Sequence, residues 1–219
     1  MSAGGATLRR MTRDDAFLDA GATVLALVDL PEVAARWTEP SALPRLSVGG
    51  LAVHLGNQVV RAAQLVTRDP EGLPVLADAD EHYARSAWTT AAPQDPVNDR
   101  SPDEAAALDG PAALHARVVE HLDVVRDALV SGAARDVVPV PWAGWALRRE
   151  DFLLTRMLEV VVHADDLAVS VGVGTPTFPD PVFAPVRDLL VRLAVARHGQ
   201  ARVVAALARR ERALPVHAF

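Results

Sequence analysis

Apolar residues recur at helical spacing along most of this chain, and turn signals separate the helical segments. Several starts carry a polar cap or a proline: Thr12 with Asp15, Ser47, and the pair Asp180-Pro181. The pattern predicts helices at about 12–28, 31–37, 48–68, 80–90, 101–130, 147–171, 180–198 and 200–212. No alternating series indicates a sheet, and "VVPVPWAGWA" is predicted to be a loop. The pattern therefore favours an all-α fold built as a helical bundle.

The clearest local start signal is Ser101-Pro102-Asp103-Glu104. A serine cap, a proline at the first helical position and a glutamate at the third match a capping box. This signal predicts one long helix that ends near Val130, with Gly132 as a left-handed C-cap. The length is enough for one hydrophobic core. We therefore predict a single domain over 1–219, with its core at about 10–175 and extra helices at about 180–212.

Composition excludes several classes of function. The net charge of −6 provides no electrostatic footprint for nucleic acid. The chain has no Cys and no Lys, which excludes disulfides, thiolate ligands, a Cys nucleophile, a Schiff-base lysine and a P-loop lysine. We see neither a signal peptide nor an apolar run that could span a bilayer, so we expect a cytoplasmic protein. The use of Arg instead of Lys and of Val instead of Ile indicates a high-GC bacterium.

The segment "RMLEVVVHADDL", residues 156–167, carries many ionisable groups for so apolar a helix. At 100° per residue, Glu159 and His163 lie one turn apart on one face, and Arg156 and Asp166 share their stripe. One interpretation is an ordinary solvated face with weak ion pairs. The other is a pair of metal ligands, because a carboxylate and an imidazole at this spacing can converge on one ion. That interpretation needs a third ligand from another helix.

The 48–68 helix offers the third ligand in His54. This residue lies at the border between an apolar and a polar side of the helix, and Gly56 would allow another helix to approach closely. The alternative is a histidine at the edge of the core that bonds to a backbone carbonyl. His115 and His121 are weaker candidates because they do not share a helix face. We interpret the remaining histidines as surface residues: His82, His198 and His217.

Two motifs, found in this order, resemble one known family. "WTEPSALPRLSVGGLAVHL" resembles the start of the second helix in the DinB/YfiT-like superfamily, and more narrowly in the N-terminal domain of mycothiol-dependent maleylpyruvate isomerases. "RMLEVVVHADDL" resembles the same family's R-x-x-E-x-x-x-H-x-x-D-L segment, and the tail is similar to those of actinobacterial relatives. The likeness runs from about residue 10 to 212. It implies a DinB-like four-helix bundle with a long crossover.

The resemblance also implies the chemistry. The family's metal ligands would be His54, Glu159 and His163, the ion would be Zn²⁺ or another divalent metal, and the thiol cosubstrate would be mycothiol. Such a site has three protein ligands and an open position. A metal-bound thiolate would attack a small electrophilic substrate, which gives S-transfer or cis–trans isomerisation. Fewer residues follow Gly174 than the isomerases' further C-terminal domain requires, and this difference favours a transferase.

Two residues of the charged stripe are predicted to serve the reaction. Arg156 would hold a carboxylate of the substrate or cosubstrate, or else would only neutralise Glu159. Asp166 would accept a hydrogen bond from an imidazole N–H of His163, or else would be an ordinary carboxylate on the helix face. The expected partner is a small-molecule substrate, with no nucleic acid and no membrane, and a homodimer is left open.

Two alternatives to a thiol-dependent enzyme remain. One is a non-enzymatic metal-binding or stress-related bundle, and the other is a metal-dependent hydrolase that uses a zinc-bound water. Dependence on a low-molecular-weight thiol would separate them. Trp142 and Trp145, in the predicted loop before the metal helix, would line a pocket mouth or plug the end of the bundle.

Overall fold

The computed structural model describes residues 11–92 and 95–219, and this part of the chain is mostly helical. Its helices are α1 (Arg13–Val28), α2 (Pro31–Ala35), α3 (Val48–Leu65), α4 (Ala79–Arg85), α5 (Ser101–Ala107), α6 (Pro111–Ser131), α7 (Arg149–Val171), α8 (Asp180–His198) and α9 (Gln200–Ala208). Two strands, β1 (Val137–Val140) and β2 (Trp145–Arg148), lie between α6 and α7. The prediction of a largely helical protein is confirmed. The predicted absence of a signal peptide concerns residues 1–10 in part, which lie outside the described residues.

The core lies among α1, α3, α6 and α7. Helices α1 and α3 each pack on both α6 and α7, and α8 packs on α1 and α7. Gly56 lets α3 and α6 approach closely, because a Cβ atom there would lie 2.9 Å from a methyl carbon of Leu114. The apolar faces of the four helices are fully buried at residues such as Phe17, Leu51, Val118 and Leu158. No helix within 11–92 and 95–219 has the length and apolar character needed to cross a membrane.

The predicted helix at 101–130 is in fact two helices. α5 ends at Ala107, and α6 begins at Pro111. Between them Gly110 has a φ of +85°, a conformation that residues with a Cβ atom rarely adopt. In the sequence, the pair Gly110-Pro111 is the signal for this break. The break makes α5 a separate short helix that packs on α3.

The predicted capping box at Ser101 is also wrong. The residue at the N-cap of α5 is Arg100, and it makes no side-chain capping bond. Glu104 turns instead to the start of α3, where its carboxylate accepts hydrogen bonds from the backbone N–H (2.6 Å) and the hydroxyl (3.1 Å) of Ser47. A contact between two helices has therefore replaced the local cap.

The segment predicted to be a loop forms a β-hairpin, so the prediction of a chain without a sheet is wrong. β1 and β2 are antiparallel, with Val137 opposite Arg148 and Val140 opposite Trp145. Their turn includes Gly144, at a φ of +79°. Both strands contribute buried residues: Val138, Val140, Ala146 and Leu147. The hairpin precedes α7 directly and packs on α3 and α7.

The C-terminal helices lie close to their predicted positions. α8 covers 180–198 as predicted, and α9 ends at Ala208, before a short 3₁₀ turn at Arg210–Arg212. Gly199 separates the two helices at a φ of +81°. The predicted segment 200–212 is therefore one helix and one turn.

Candidate metal centre

The charged stripe of α7 faces the interior of the protein. Arg156 is 5% exposed, and the side chains of Glu159 and His163 are 15% and 12% exposed. The solvated-face interpretation is therefore wrong for these three residues. Asp166 lies at the edge of the stripe, with 29% of its side chain exposed. Buried groups of this kind lose their hydration and need partners inside the protein.

His54 of α3 lies next to Glu159 and His163 of α7. One potential ligand atom from each residue lies within 4.8 Å of the other two. The two imidazole rings are nearly perpendicular, with centroids 4.7 Å apart, and the Nε2 atom of His163 is 3.2 Å from Oε2 of Glu159. The three residues that the sequence analysis singled out as ligands are thus brought together from two helices.

Asp103 of α5 orients His54. Its Oδ2 atom lies 2.8 Å from the Nδ1 atom of His54, and its Oδ1 atom accepts a hydrogen bond from Asn57 (2.8 Å). Arg117 in turn donates to the amide oxygen of Asn57 (3.0 Å). Burial lowers the pKa of His54 despite the hydrogen bond to Asp103, which favours a neutral ring. A neutral ring that donates from Nδ1 to Asp103 has its Nε2 lone pair free for a cation.

Asp166 contacts His163 in the same way as Asp103 contacts His54. The Nδ1 atom of His163 lies 3.0 Å from Oδ2 of Asp166. Burial by itself lowers the pKa of His163, but hydrogen bonds to Asp166 and Glu159 outweigh it and raise this pKa to about 9. For Glu159, burial by itself raises the pKa. The hydrogen bond and charge of His163 and the charge of Arg156 outweigh burial and lower this pKa to about 2. Without a metal, the His163 imidazolium therefore neutralises the Glu159 carboxylate.

Tyr83 of α4 provides a second contact to Glu159. Its hydroxyl lies 3.4 Å from Oε1 of Glu159 and 3.3 Å from the backbone carbonyl of Thr155. Burial, followed by the charge of Glu159, raises the pKa of Tyr83 well above its usual value. The phenol therefore stays protonated and acts as a donor. Phe219 packs against its ring, with centroids 5.2 Å apart.

His82 is buried, so its prediction as a surface residue is wrong. It is 4% exposed, and its Nδ1 atom accepts a hydrogen bond from the indole N–H of Trp145 (3.0 Å). Burial and the charge of Arg156 lower the pKa of His82 to about 4, so the ring is neutral at neutral pH. His217, in contrast, is exposed as predicted, and its backbone bonds to the ring of His198.

Arg156 forms hydrogen bonds with neutral groups. It donates to the amide oxygen of Gln58 (2.8 Å) and to the hydroxyl of Thr155 (3.3 Å). Within the described residues it makes no ion pair with Glu159, although its charge lowers the pKa of that carboxyl. The direct Arg156–Glu159 pair considered for the sequence is therefore not formed.

A cavity of about 470 Å³ borders the site at Asp166. It lies between α7 and the segment that leads into α8, and its lining is mostly apolar with two carboxylates and two hydroxyls. The lining residues are Val161, Val162, Asp165, Asp166, Thr175, Pro176, Thr177, Phe178 and Phe183. Asp166 therefore contacts His163 and also lines this cavity.

The sequence itself matches a known family over most of its length. Residues 17–168 match the model of the mycothiol maleylpyruvate isomerase N-terminal domain. The chain belongs to this family. The resemblance seen in the two motifs is therefore confirmed. The comparisons with curated proteins and with solved structures gave no match.

In this member of the isomerase-domain family, the donor set fits a divalent metal. Two imidazole nitrogens and one carboxylate form a common set of three ligands in catalytic zinc sites. The Nδ1 atom of each imidazole contacts a carboxylate, as is usual for histidines that bind metals through the other nitrogen. All of these groups lie within the range that matches the family: His54, Asp103, Glu159, His163 and Asp166.

Sequence reasoning missed two residues of this site and a third, His82, whose ring packs against that of Tyr83. Asp103 was assigned only to the capping box, Tyr83 was not singled out, and His82 was placed on the surface. The acidic start of α5 is the only local signal for Asp103, and it is equally typical of any helix start. Identifying these residues requires the packing of α4 and α5 against the other helices.

Proposed function

We propose that this protein is a metal-dependent and mycothiol-dependent enzyme that acts on a small electrophilic substrate by S-transfer or cis–trans isomerisation. The observation that carries the proposal is the convergence of His54, Glu159 and His163, with the second nitrogen of each imidazole tied to a carboxylate. Membership of the mycothiol maleylpyruvate isomerase N-terminal domain family supports mycothiol as the thiol. We propose Zn²⁺ as the ion, because two histidines and one glutamate with an open position form a common catalytic zinc site.

The residues of the chain have distinct tasks in this proposal. His54 and His163 would hold the ion through Nε2, and Glu159 would supply the third ligand. Asp103 and Asp166 fix the tautomers and ring orientations from the other side. A bound divalent ion supplies a Lewis acid that favours the deprotonated form of a thiol at neutral pH.

The fold and the cavity support the same proposal. The packing of α1, α3, α6 and α7 supports a DinB-like four-helix bundle within one domain. We assign the cavity beside Asp166 to the non-reacting part of the thiol cosubstrate, because it is adjacent to the metal centre and offers hydroxyl and carboxylate groups to a polar ligand.

Cobalt substitution tests the metal and the thiol together. Co²⁺ is added to metal-free protein, followed by mycothiol, and the near-ultraviolet absorption is recorded. We expect one Co²⁺ per chain and a sulfur-to-cobalt charge-transfer band that appears only with the thiol. The zinc-loaded protein is then incubated with mycothiol and 1-chloro-2,4-dinitrobenzene, which tests the transferase form by the mass of the conjugate, and with a cis-configured unsaturated keto acid, which tests the isomerase form.

The two alternatives give different outcomes. A metal-dependent hydrolase would cleave ester substrates with no thiol present. A non-enzymatic metal-binding bundle would bind Co²⁺ without either activity. Each of these outcomes contradicts the proposal, as does a wild-type protein that binds no metal.

A further inference from the structure

Two arginines beside the candidate metal centre have no carboxylate partner among the residues that the structure describes. Arg156 of α7 is nearly inaccessible and bonds only to the neutral side chains of Gln58 and Thr155. Arg61 of α3 is partly buried and has no hydrogen-bonding partner among the described residues. Neither forms an ion pair in the part of the chain that the structure describes. Charges removed from water without a counter-ion are costly, so this arrangement needs an explanation.

The ring of Trp142 lies near the guanidinium groups of both Arg61 and Arg156. The central carbon of Arg61 lies 5.2 Å from the ring centroid, and that of Arg156 lies 6.0 Å from it. Both distances allow a cation–π contact. Trp142 lies in the turn of the hairpin and is 56% exposed, so its ring covers the two guanidinium groups on the solvent side. The ring of Trp142 is thus within cation–π distance of both guanidinium groups.

The nearby carboxylates already have other partners. Asp103 bonds to His54 and Asn57, and Glu159 bonds to His163 and Tyr83. Both act on Arg61 only through space. Burial, followed by the charge of Arg156, lowers the pKa of Arg61. Among residues 11–92 and 95–219, neither of these two cations therefore has a carboxylate that is paired with it directly.

We propose that Arg61 and Arg156, covered by the ring of Trp142, bind a carboxylate group of the small-molecule substrate beside the metal centre. The planar fork of each guanidinium matches a carboxylate, and an anion between them removes the repulsion of the two cations. The inference deepens the proposed function and rests on it for the position of the reacting part of the substrate. The arginines would hold one end of the substrate while the electrophilic carbon faces the centre of His54, Glu159 and His163.

Binding of succinate and of its neutral analogue succinamide to the zinc-loaded protein tests this assignment. The two probes have similar shape and differ in charge. We expect succinate to bind and succinamide not to bind in isothermal titration calorimetry. Arg61→Gln and Arg156→Gln should each weaken succinate binding about 10- to 100-fold, the loss expected for charge-assisted hydrogen bonds. Trp142→Leu should weaken it about two- to fivefold.

Arg187→Gln serves as the matched control, because Arg187 is exposed on α8 and pairs with the adjacent Asp188. It should bind succinate as the wild type does. Circular dichroism melts establish that each variant is folded. Arg61→Gln keeps the test decisive if the more buried Arg156→Gln does not fold.

The outcomes separate this inference from the proposed function, because the metal content is measured in the same samples. Succinate binding that is equal in the wild type and both site variants would mean that the anion binds the metal alone, and it would overturn the assignment. Equal binding of succinate and succinamide would do the same. A wild type that holds no metal but binds succinate through Arg61 and Arg156 would uphold the anion site and contradict the metal centre.

Discussion

Asp103 and His54 lie 49 positions apart in the chain, and only 2.8 Å separates the Oδ2 atom of one from the Nδ1 atom of the other. This contact links α5 to α3 and sets which nitrogen of His54 faces the candidate metal centre. It depends on the break between α5 and α6, because that break lets α5 pack on α3 as a separate helix. The interruption at Gly110 thus contributes to the site.

Replacement of Asp103 should weaken metal binding without removing a ligand. In Asp103→Ala, His54 loses the acceptor that fixes its tautomer, so zinc affinity should fall about 10- to 100-fold. Asp103→Asn keeps an acceptor oxygen but not its charge, and its loss should be smaller. Competition with a chromophoric zinc chelator measures both. Asp109→Ala, an exposed carboxylate near the end of α5, is the control. Equal affinity in Asp103→Ala and in the control would contradict the positioning role.

Two neighbouring carboxylates of α7 allow a matched comparison. Asp166 contacts the Nδ1 atom of His163, whereas Asp165 is exposed and accepts a hydrogen bond from Thr175. We therefore expect Asp166→Ala to lower zinc affinity about 10- to 100-fold and Asp165→Ala to leave it unchanged. Equilibrium dialysis with metal analysis measures both. If the two variants behave alike, Asp166 is only a carboxylate on the helix face.

The helices that carry the ligands could be predicted because their signals are local. The apolar periodicity of α3 and α7 and the cap at Ser47 lie within the segments themselves. The i,i+4 spacing of Glu159 and His163 follows from helix geometry alone. His54 was assigned to the same centre by resemblance, since no local rule links two helices that lie far apart in the chain.

The parts that could not be predicted depend on contacts between distant segments. The β-hairpin was missed because Pro139 interrupts the strand pattern and cannot donate to a ladder. His82 is buried and accepts a hydrogen bond from Trp145 of that hairpin, a contact between segments that are far apart in the sequence. Likewise, Glu104 looked like a local cap because its bond to Ser47 is not visible in the sequence.

The buried His82 should make the protein less stable in acid. Its pKa is about 4 in the folded protein and about 6.5 in the unfolded chain. Between these values the unfolded chain takes up a proton that the folded protein does not, so the free energy of unfolding falls as the pH decreases. The penalty is absent above about pH 6.5 and reaches about 2–3 kcal/mol near pH 4.5.

His82→Gln isolates this contribution, because glutamine accepts hydrogen bonds but does not titrate in this range. At pH 7 the variant should be less stable than the wild type. The difference should shrink by about 2–3 kcal/mol by pH 4.5, in urea unfolding curves recorded across the range. A constant difference between the two proteins would show that His82 titrates alike in the folded and unfolded states.

The three ligands should be distinguishable by their effects with and without zinc. Zinc at 100 times its Kd should raise the Tm of the wild type by about 5–10 °C. His54→Ala, Glu159→Ala and His163→Ala should each lose this shift, whereas His115→Ala, at a partly exposed position on α6, should keep it.

In metal-free protein, the three variants should differ in stability. His163→Ala removes the imidazolium that neutralises the buried Glu159 and should cost about 3 kcal/mol or more, because breaking a buried pair leaves a charge uncompensated. Glu159→Ala should cost less, since His163 keeps Asp166 and can lose its proton. If all three variants retain the zinc-dependent rise in Tm, these residues do not hold the metal. If Glu159→Ala loses the most stability in metal-free protein, the His163 imidazolium does not neutralise the Glu159 carboxylate.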